Sequence, residues 1–295
     1  MDNKFNNMLQ EFLKKNNVEN IDEANEKLQE FINMYNSGEI EYKNTPLDDA
    51  YEILEEAQHT KNEKEAIRLA KKAYEKSAEC FDALLFQCDL EENGIKRMKL
   101  LNNGLEFEKN RLTKENYFDK ENIGHFYGIF ETRPYIRGLV TKIEYLLEEG
   151  KLRQACNICN EVLKLNNNDN LGARYLLMAI YGVLEEEKEM LKLYKKYPEE
   201  NLEMLFPLFT IYYKNGNDKK ALEYLNRIDK CNSNFVKFFK GTIKESKKVN
   251  PGYYSRGDSS EIFMYLERYD YLLITMPRLH EYIIENLMKN KKDKR

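Results

Sequence analysis

Hydrophobic positions recur every three to four residues along most of this chain, and the strict alternation of a half-buried strand is nearly absent. That period places one apolar stripe on each helix and predicts an all-α protein. The residues between the stripes agree. Thr45-Pro46-Leu47-Asp48 supplies a capping hydroxyl, a proline at the first helical position and an acid in the first turn. Tyr197-Pro198-Glu199-Glu200 repeats the arrangement. Glu149-Gly150-Lys151 and Asn215-Gly216-Asn217-Asp218 read as turns between helices.

A longer period lies over the helical one. Gly150 is followed five residues later by Ala155, and Gly216 five residues later by Ala221. The offset, 216 − 150 = 66, is two units of 33, close to the tetratricopeptide period of about 34 residues. Glycine permits the tight turn between paired helices, and the small alanine lets the second helix approach the first. Aligned on that turn, units run over 136–169, 170–201 and 202–235. The first packs through Leu139, Ile143, Leu146, Ala155, Cys159, Val162 and Leu163, and the third through Leu205, Leu208, Phe209, Tyr212, Ala221, Leu225 and Ile228. The middle unit has Ala173, Leu176, Leu177 and Ile180 on its first helix, but its turn, Leu184-Glu185-Glu186-Glu187, lacks glycine.

An earlier unit starts near Pro46, with stripes Ala50, Leu54, Ala57 and Ala66, Leu69, Ala70, Ala73. A further pair covers 79–111, with Phe81, Leu84, Leu85, Met98, Leu101 and Leu105 inward. The expected fold is a tetratricopeptide-like, right-handed superhelical solenoid of stacked antiparallel helix pairs. Its array occupies 45–235, with an insertion at about 112–132. Residues 1–44 form an N-terminal helical cap of two amphipathic helices, and 236–295 a C-terminal helical cap ending in a basic tail. In that last segment 250–254 reads as a turn, 259–268 and 277–288 as helices, and 269–275 as a candidate extended stretch.

Composition narrows the function classes. Lys+Arg number 47 and Asp+Glu 51, for a net charge of −4. A nucleic-acid binder carries a basic excess, so no nucleic-acid partner is expected. The one basic run, Lys289, Lys291, Lys292, Lys294 and Arg295, reads as a solvated tail. The longest apolar run, 204–213, is ten residues, half of the about twenty that a bilayer span needs. With no charged-then-apolar leader, a cytoplasmic protein without a membrane partner is expected. Five cysteines, all in helix-patterned stretches, suit a reducing compartment.

The candidate chemistry is thin. Cys156-Asn157-Ile158-Cys159 falls in mid-helix, not at the helix N-terminus that activates a redox pair. A zinc site needs a second ligand pair, and only Cys231 and the scattered His59, His125 and His280 remain. Glu121 and His125 are four apart, a spacing that would bring them together on one helical face. No phosphate loop or nucleophile elbow is present. No catalytic residue, metal or cofactor is expected.

Two segments carry a resemblance. Gly124-His125-Phe126-Tyr127-Gly128 with Glu131-Thr132-Arg133-Pro134-Tyr135-Ile136-Arg137, and Asn168-Asp169-Asn170-Leu171-Gly172-Ala173-Arg174-Tyr175-Leu176-Leu177, resemble the signature of bacterial tetratricopeptide proteins allied to the suppressor-of-tumorigenicity-seven family. The likeness covers roughly residues 45 to 235. It implies a helical-repeat fold and an interaction role, and it brings no catalytic residues. Tyr127 and Tyr145 stand where tryptophans are expected in such relatives. Within the first segment, Glu131, Arg133, Tyr135 and Arg137 either lock the insertion onto the stack or shape a partner pocket, and His125 reads as a capping or partner-contact histidine.

In a tetratricopeptide stack the first helix of each pair lines the concave face. The register assigns to that groove Arg137, Val140, Glu144 and Leu147, then Leu171, Arg174, Met178 and Tyr181, then Glu203, Phe206, Thr210 and Tyr213. Tyr, Phe, Met and Arg are types enriched at interfaces. The expected function is non-catalytic binding of a partner's peptide or helix in the groove. The alternative is a regulatory protein responsive to a ligand or peptide.

Overall fold

The computed structural model describes residues 3–17, 21–40, 42–243 and 255–292. The expected turn at 250–254 and the tail residues Lys294 and Arg295 lie outside them. The described residues are helical without a strand, and the chain divides into two units, Met1–Phe118 and Asp119–Arg295.

In the first unit α1 (Asn3–Lys15) and α2 (Ile21–Ser37) meet through aromatic rings. Phe31 is fully buried, with Phe5 and Phe12 at 5.2 and 5.5 Å. Two helix pairs follow, α3 (Pro46–His59) with α4 (Glu63–Lys76) and α5 (Phe81–Asp89) with α6 (Gly94–Lys114). The start of α3 is the expected cap in full. Thr45 Oγ1 accepts from the Asp48 amide at 3.2 Å, and the Asp48 carboxylate accepts from the Thr45 amide at 2.8 Å. Both expected stripes of the α3/α4 pair are buried, from Ala50 to Ala73. Of the α5/α6 positions only Met98 is half-buried. Helix α6 runs on to Lys114, through the first residues of the segment read as an insertion.

The second unit holds three more pairs: α7 (Arg133–Glu148) with α8 (Leu152–Leu165), α9 (Ala173–Leu184) with α10 (Glu187–Lys196), and α11 (Leu202–Lys214) with α12 (Asp218–Cys231). Successive pairs pack on each other through α8 against α9 and through the two first helices α9 and α11. Every packing position assigned to these units is buried. Gly150 and Gly216 sit at φ +69° and +65°, in the left-handed region the turn demands. The middle turn makes the same excursion without glycine, since Glu185 takes φ +59°.

The segment before α7 is a compact loop of turns closed by the 3-10 turn Phe130–Thr132. Glu121 and His125 therefore do not share a helical face, contrary to their spacing. The loop is sewn to the end of α8. The amides of Gly124 and Phe126 donate to the Leu165 carbonyl at 3.0 and 3.1 Å, and the Asn167 amide donates back to Gly124 at 2.9 Å. Gly124 has φ +100°, and a Cβ there would lie 2.4 Å from Asn167 Nδ2. Gly124→Ala is expected to cost about 1–3 kcal/mol, read as a lower urea midpoint, with the loop becoming sensitive to protease.

The C-terminal segment folds back on the unit. Helix α13 (Phe235–Phe239) continues from α12, and α14 (Ser259–Arg268), α15 (Asp270–Ile274) and α16 (Leu279–Lys292) follow. The stretch 269–275, a candidate extended segment from its pattern, is thus mostly helical. Helix α14 packs on α11, α15 on α9, and α16 on α12 and α13. Phe206 meets Tyr265 at 5.3 Å, and Leu272 lies 3.1 Å from where a Cβ on Gly182 would stand. The exposed sides of the first helices are therefore covered in large part by the chain itself.

Candidate functional site

The start of α9 is organised by one carboxylate. Asp169 accepts from the amides of Ala173 and Arg174 at 2.7 and 2.9 Å, filling the orphan donors of the helix N-terminus. Its third partner is the Arg174 guanidinium at 2.9 Å. Arg174 Nε reaches Glu199 at 2.8 Å, and Arg174 Nη2 donates to the Tyr175 hydroxyl at 2.6 Å. That hydroxyl donates to Glu199 at 2.7 Å. Asn201 donates to the same carboxylate at 2.9 Å and caps α11 by accepting from the Met204 amide at 3.0 Å. Five side chains thereby tie the α8–α9 junction to the α10–α11 junction.

The electrostatics follow from depth. Burial pushes the Asp169 carboxyl up, opposed by the N–H groups of Arg174 and Ala173. Burial pushes the Glu199 carboxyl up as well, but the Tyr175 and Arg174 hydrogen bonds outweigh it and hold that carboxyl down. The Tyr175 phenol rises to about 12 through burial and its bond to Glu199.

Two adjoining clefts open beside this network, with Arg268 on the wall of both. One, of about 360 Å³, lies among α9, α11 and α14 and is lined by Leu171, Arg174, Glu203, Tyr265 and Tyr269 among others. The second, of about 520 Å³, lies between α7, α9 and α15, with Glu144, Leu147, Leu176 and Tyr271 on its walls. Arg268 pairs with Glu144 at 3.5 Å.

The assigned groove residues separate into two groups. Glu144, Leu147, Leu171, Arg174 and Glu203 line the clefts. Met178, Phe206 and Thr210 are fully buried and Tyr181 is nearly so, so none of them meets a partner in this arrangement. For Phe206 the reason is the fold-back of the C-terminal helices. Phe206 packs among Phe209, Phe235 and Tyr265, and Thr210 donates back to the Pro207 carbonyl at 2.8 Å. Tyr181 faces α8, with its hydroxyl 3.5 Å from Asn160. Tyr213 is half-buried against the Tyr282 ring, 4.9 Å away, and Arg137 and Val140 are half-buried on α7.

The signature residues before α7 fasten the loop. Arg133 Nε donates to the Tyr127 carbonyl at 2.7 Å, and its guanidinium lies over the Tyr127 and Phe130 rings at 5.5 and 5.6 Å. Tyr135 is buried, while the His125 and Glu131 side chains are exposed. The two segments that carried the family resemblance are brought together here, since Gly124 and His125 bridge to Asn166 beside the Asp169 cap.

Sequence reasoning missed Asn201 and the tyrosines of α14 and α15. It put Glu199 in the first turn of a helix begun by Pro198, whereas residues 198–200 lie between α10 and α11 and the helix starts at Leu202 behind the Asn201 cap. Asn201 was visible as a polar residue just ahead of an apolar helix. The tyrosines carried no signal, because their partners are remote in the chain.

All five thiols are free. Burial raises the Cys156 and Cys159 thiols, which keeps both protonated and poor nucleophiles. Among the described residues no three His, Cys, Asp or Glu side chains are grouped to hold a metal, and no helix is long and apolar enough to cross a membrane. No family model matches this chain, and no curated protein matches its sequence.

Proposed function

We propose that this protein is a non-catalytic interaction module of the tetratricopeptide type, allied to the bacterial relatives of the suppressor-of-tumorigenicity-seven family. Its second unit holds a segment of a partner protein against the first helices of its pairs. Two helix pairs in the first unit and three in the second support a helical-repeat reading, and stacked pairs of this kind build a solenoid. A reducing, cytoplasmic setting suits the five free thiols.

The observation that carries the reading is the cleft of about 520 Å³ between α7, α9 and α15. Two positions that the repeat register assigned to the binding face, Glu144 and Leu147, line it. Its apolar wall, Leu147, Leu176 and Tyr271, takes a hydrophobic anchor, and its rim, where Glu144, Glu148, Glu267 and Asp270 outnumber Arg268, favours basic residues beside that anchor.

A photo-crosslinking amino acid at Leu147 tests this, with the same group at the exposed Lys164 of α8 as control. Irradiation in native lysate is expected to trap one partner from position 147 and none from 164. Glu148→Lys lowers that yield about tenfold, by reversing a charge on the rim. Equal trapping at the two positions, or a yield indifferent to Glu148→Lys, overturns the reading.

A further inference from the structure

The faces of α9 and α11 that the repeat register turns toward a partner carry a segment of the chain itself. Helix α14 packs on α11, and α15 on α9. Ile262, Tyr265, Tyr269 and Leu272 are all buried, and they are spaced three, four and three residues apart. That is the stripe by which an amphipathic helix docks in a groove. It runs through the joint between the two helices, where the Tyr269 amide still donates to the Tyr265 carbonyl at 3.0 Å. The stripe meets residues that the register gave to a partner. The Tyr265 ring stands 5.3 Å from Phe206. A Cβ on Gly182 would lie 3.1 Å from Leu272 Cδ1 and 3.5 Å from Thr210 Oγ1, so glycine leaves the room that Leu272 enters beside Thr210.

The segment is fixed at its ends and weakly held between them. Glu261 accepts from Asn232 at 2.9 Å and from the Gly257 amide at 2.8 Å, which ties the start of α14 to the end of α12. Beyond α15, helix α16 packs on α12 and α13. Between these anchors Arg268 reaches Glu144 at 3.5 Å with both side chains about half exposed, a pairing that solvent screens. The hydroxyls of Tyr265, Tyr269 and Tyr271 are buried without a hydrogen-bond partner. Each gives up its bonds to water when the segment docks and regains them when it lifts. Native structures leave few such groups, and three in one segment lower the cost of lifting it.

We propose that this face of α9 and α11 is a helix-docking surface held closed in cis by α14 and α15. It opens to an amphipathic helix of a partner protein that carries aromatic or aliphatic residues at the same spacing. The two anchors keep the segment attached while its middle lifts. The closed state therefore competes with the partner and lowers its apparent affinity in proportion to the open fraction. The inference goes beyond the cleft between α7, α9 and α15. Its test does not read that cleft, so failure here leaves the crosslinking result at Leu147 standing.

Two measurements test it. In Thr210→Cys, iodoacetamide labelling resolved at residue 210 by mass spectrometry reports the opening. Its rate is expected to rise with urea on a slope well below that of global unfolding, because lifting one segment exposes far less surface. A slope equal to that of global unfolding overturns the proposal, since the face is then uncovered only as the unit unfolds. The second measurement is the fluorescence anisotropy of a labelled peptide of residues 258–275 titrated with the full chain. Leu272→Ala in the chain weakens the closed state and is expected to tighten the peptide about tenfold. The same change made in the peptide instead weakens its binding to that variant about tenfold. The proposal fails if neither chain binds the peptide at about 1 mM. It fails equally if both chains bind it alike, or if the altered peptide binds as well as the original. Should Leu272→Ala not fold, labelling at residue 210 decides alone.

Discussion

Replacing Arg174 with alanine is expected to destabilise the second unit by about 3–5 kcal/mol, the cost of leaving a buried charge without its partner. The stranded group is Asp169, whose side chain is 0% exposed and which is committed to the α9 N-terminus by two amide bonds. Arg174 itself is only 14% exposed, so water does little to replace it. The loss also releases Glu199 and the Tyr175 hydroxyl, and with them the tie between two inter-pair junctions. Urea unfolding of Arg174→Ala, Asp169→Asn and the double variant measures the effect. The double variant is expected to cost well below the sum of the two singles, because each single change removes the same ion pair. Additive costs show that the two side chains act independently and refute the account. The same reasoning removes Arg174 as a clean probe of partner binding, since its variants alter the fold.

Phe206→Ala is expected to cost a further large amount, about 3–5 kcal/mol for a fully buried aromatic side chain. Phe206 stands at a four-ring contact with Phe209 at 5.7 Å, Phe235 at 6.0 Å and Tyr265 at 5.3 Å. These rings come from α11, α13 and α14, so the cavity loosens the seat of the C-terminal segment on the repeat helices. Unfolding by urea gives the stability change. Limited proteolysis is expected to cut first within α14 in the variant and not in the wild type. A cost below about 1 kcal/mol, the range of surface substitutions, would show that the C-terminal helices do not cover this face.

Much of the helix architecture was legible in the residues because its causes are local. A stripe every three to four positions, a Thr-Pro-x-Asp cap and a glycine in a left-handed turn act within a few residues of the chain. Thus the α3 capping box and the buried stripes of α7, α8, α11 and α12 stand where the pattern put them. The middle turn shows the boundary of that logic. Its backbone geometry repeats that of Gly150 and Gly216, but Glu185 adopts it, so the residue type alone left the turn unmarked. The loop before α7 is similar. Its spacing suggested a helical face shared by Glu121 and His125, whereas the backbone bonds from Gly124 and Phe126 to Leu165 hold it in turns.

The candidate site was legible only in part. The repeat register found the sides of α7, α9 and α11 that face away from their second helices, and Glu144, Leu147, Leu171, Arg174 and Glu203 indeed line clefts. It gave Met178, Phe206 and Thr210 the same standing. An amphipathic helix shows the chain which side is apolar, but not which apolar side a remote segment will cover.

The sequence by itself determined that the chain is helical, where its helices pair and which residues pack each pair, because capping and periodicity are short-range effects. Tertiary structure alone decided that α14 and α15 pack on α11 and α9, that Asp169, Arg174 and Glu199 join into one network, and that the rings of Tyr265, Tyr269 and Tyr271 gather in one cluster. The bonds to Glu199 join residues 24 and 25 positions apart, and Phe206 meets Tyr265 across the intervening α12 and α13. No local pattern encodes such distances; only the energy of the assembled packing selects them.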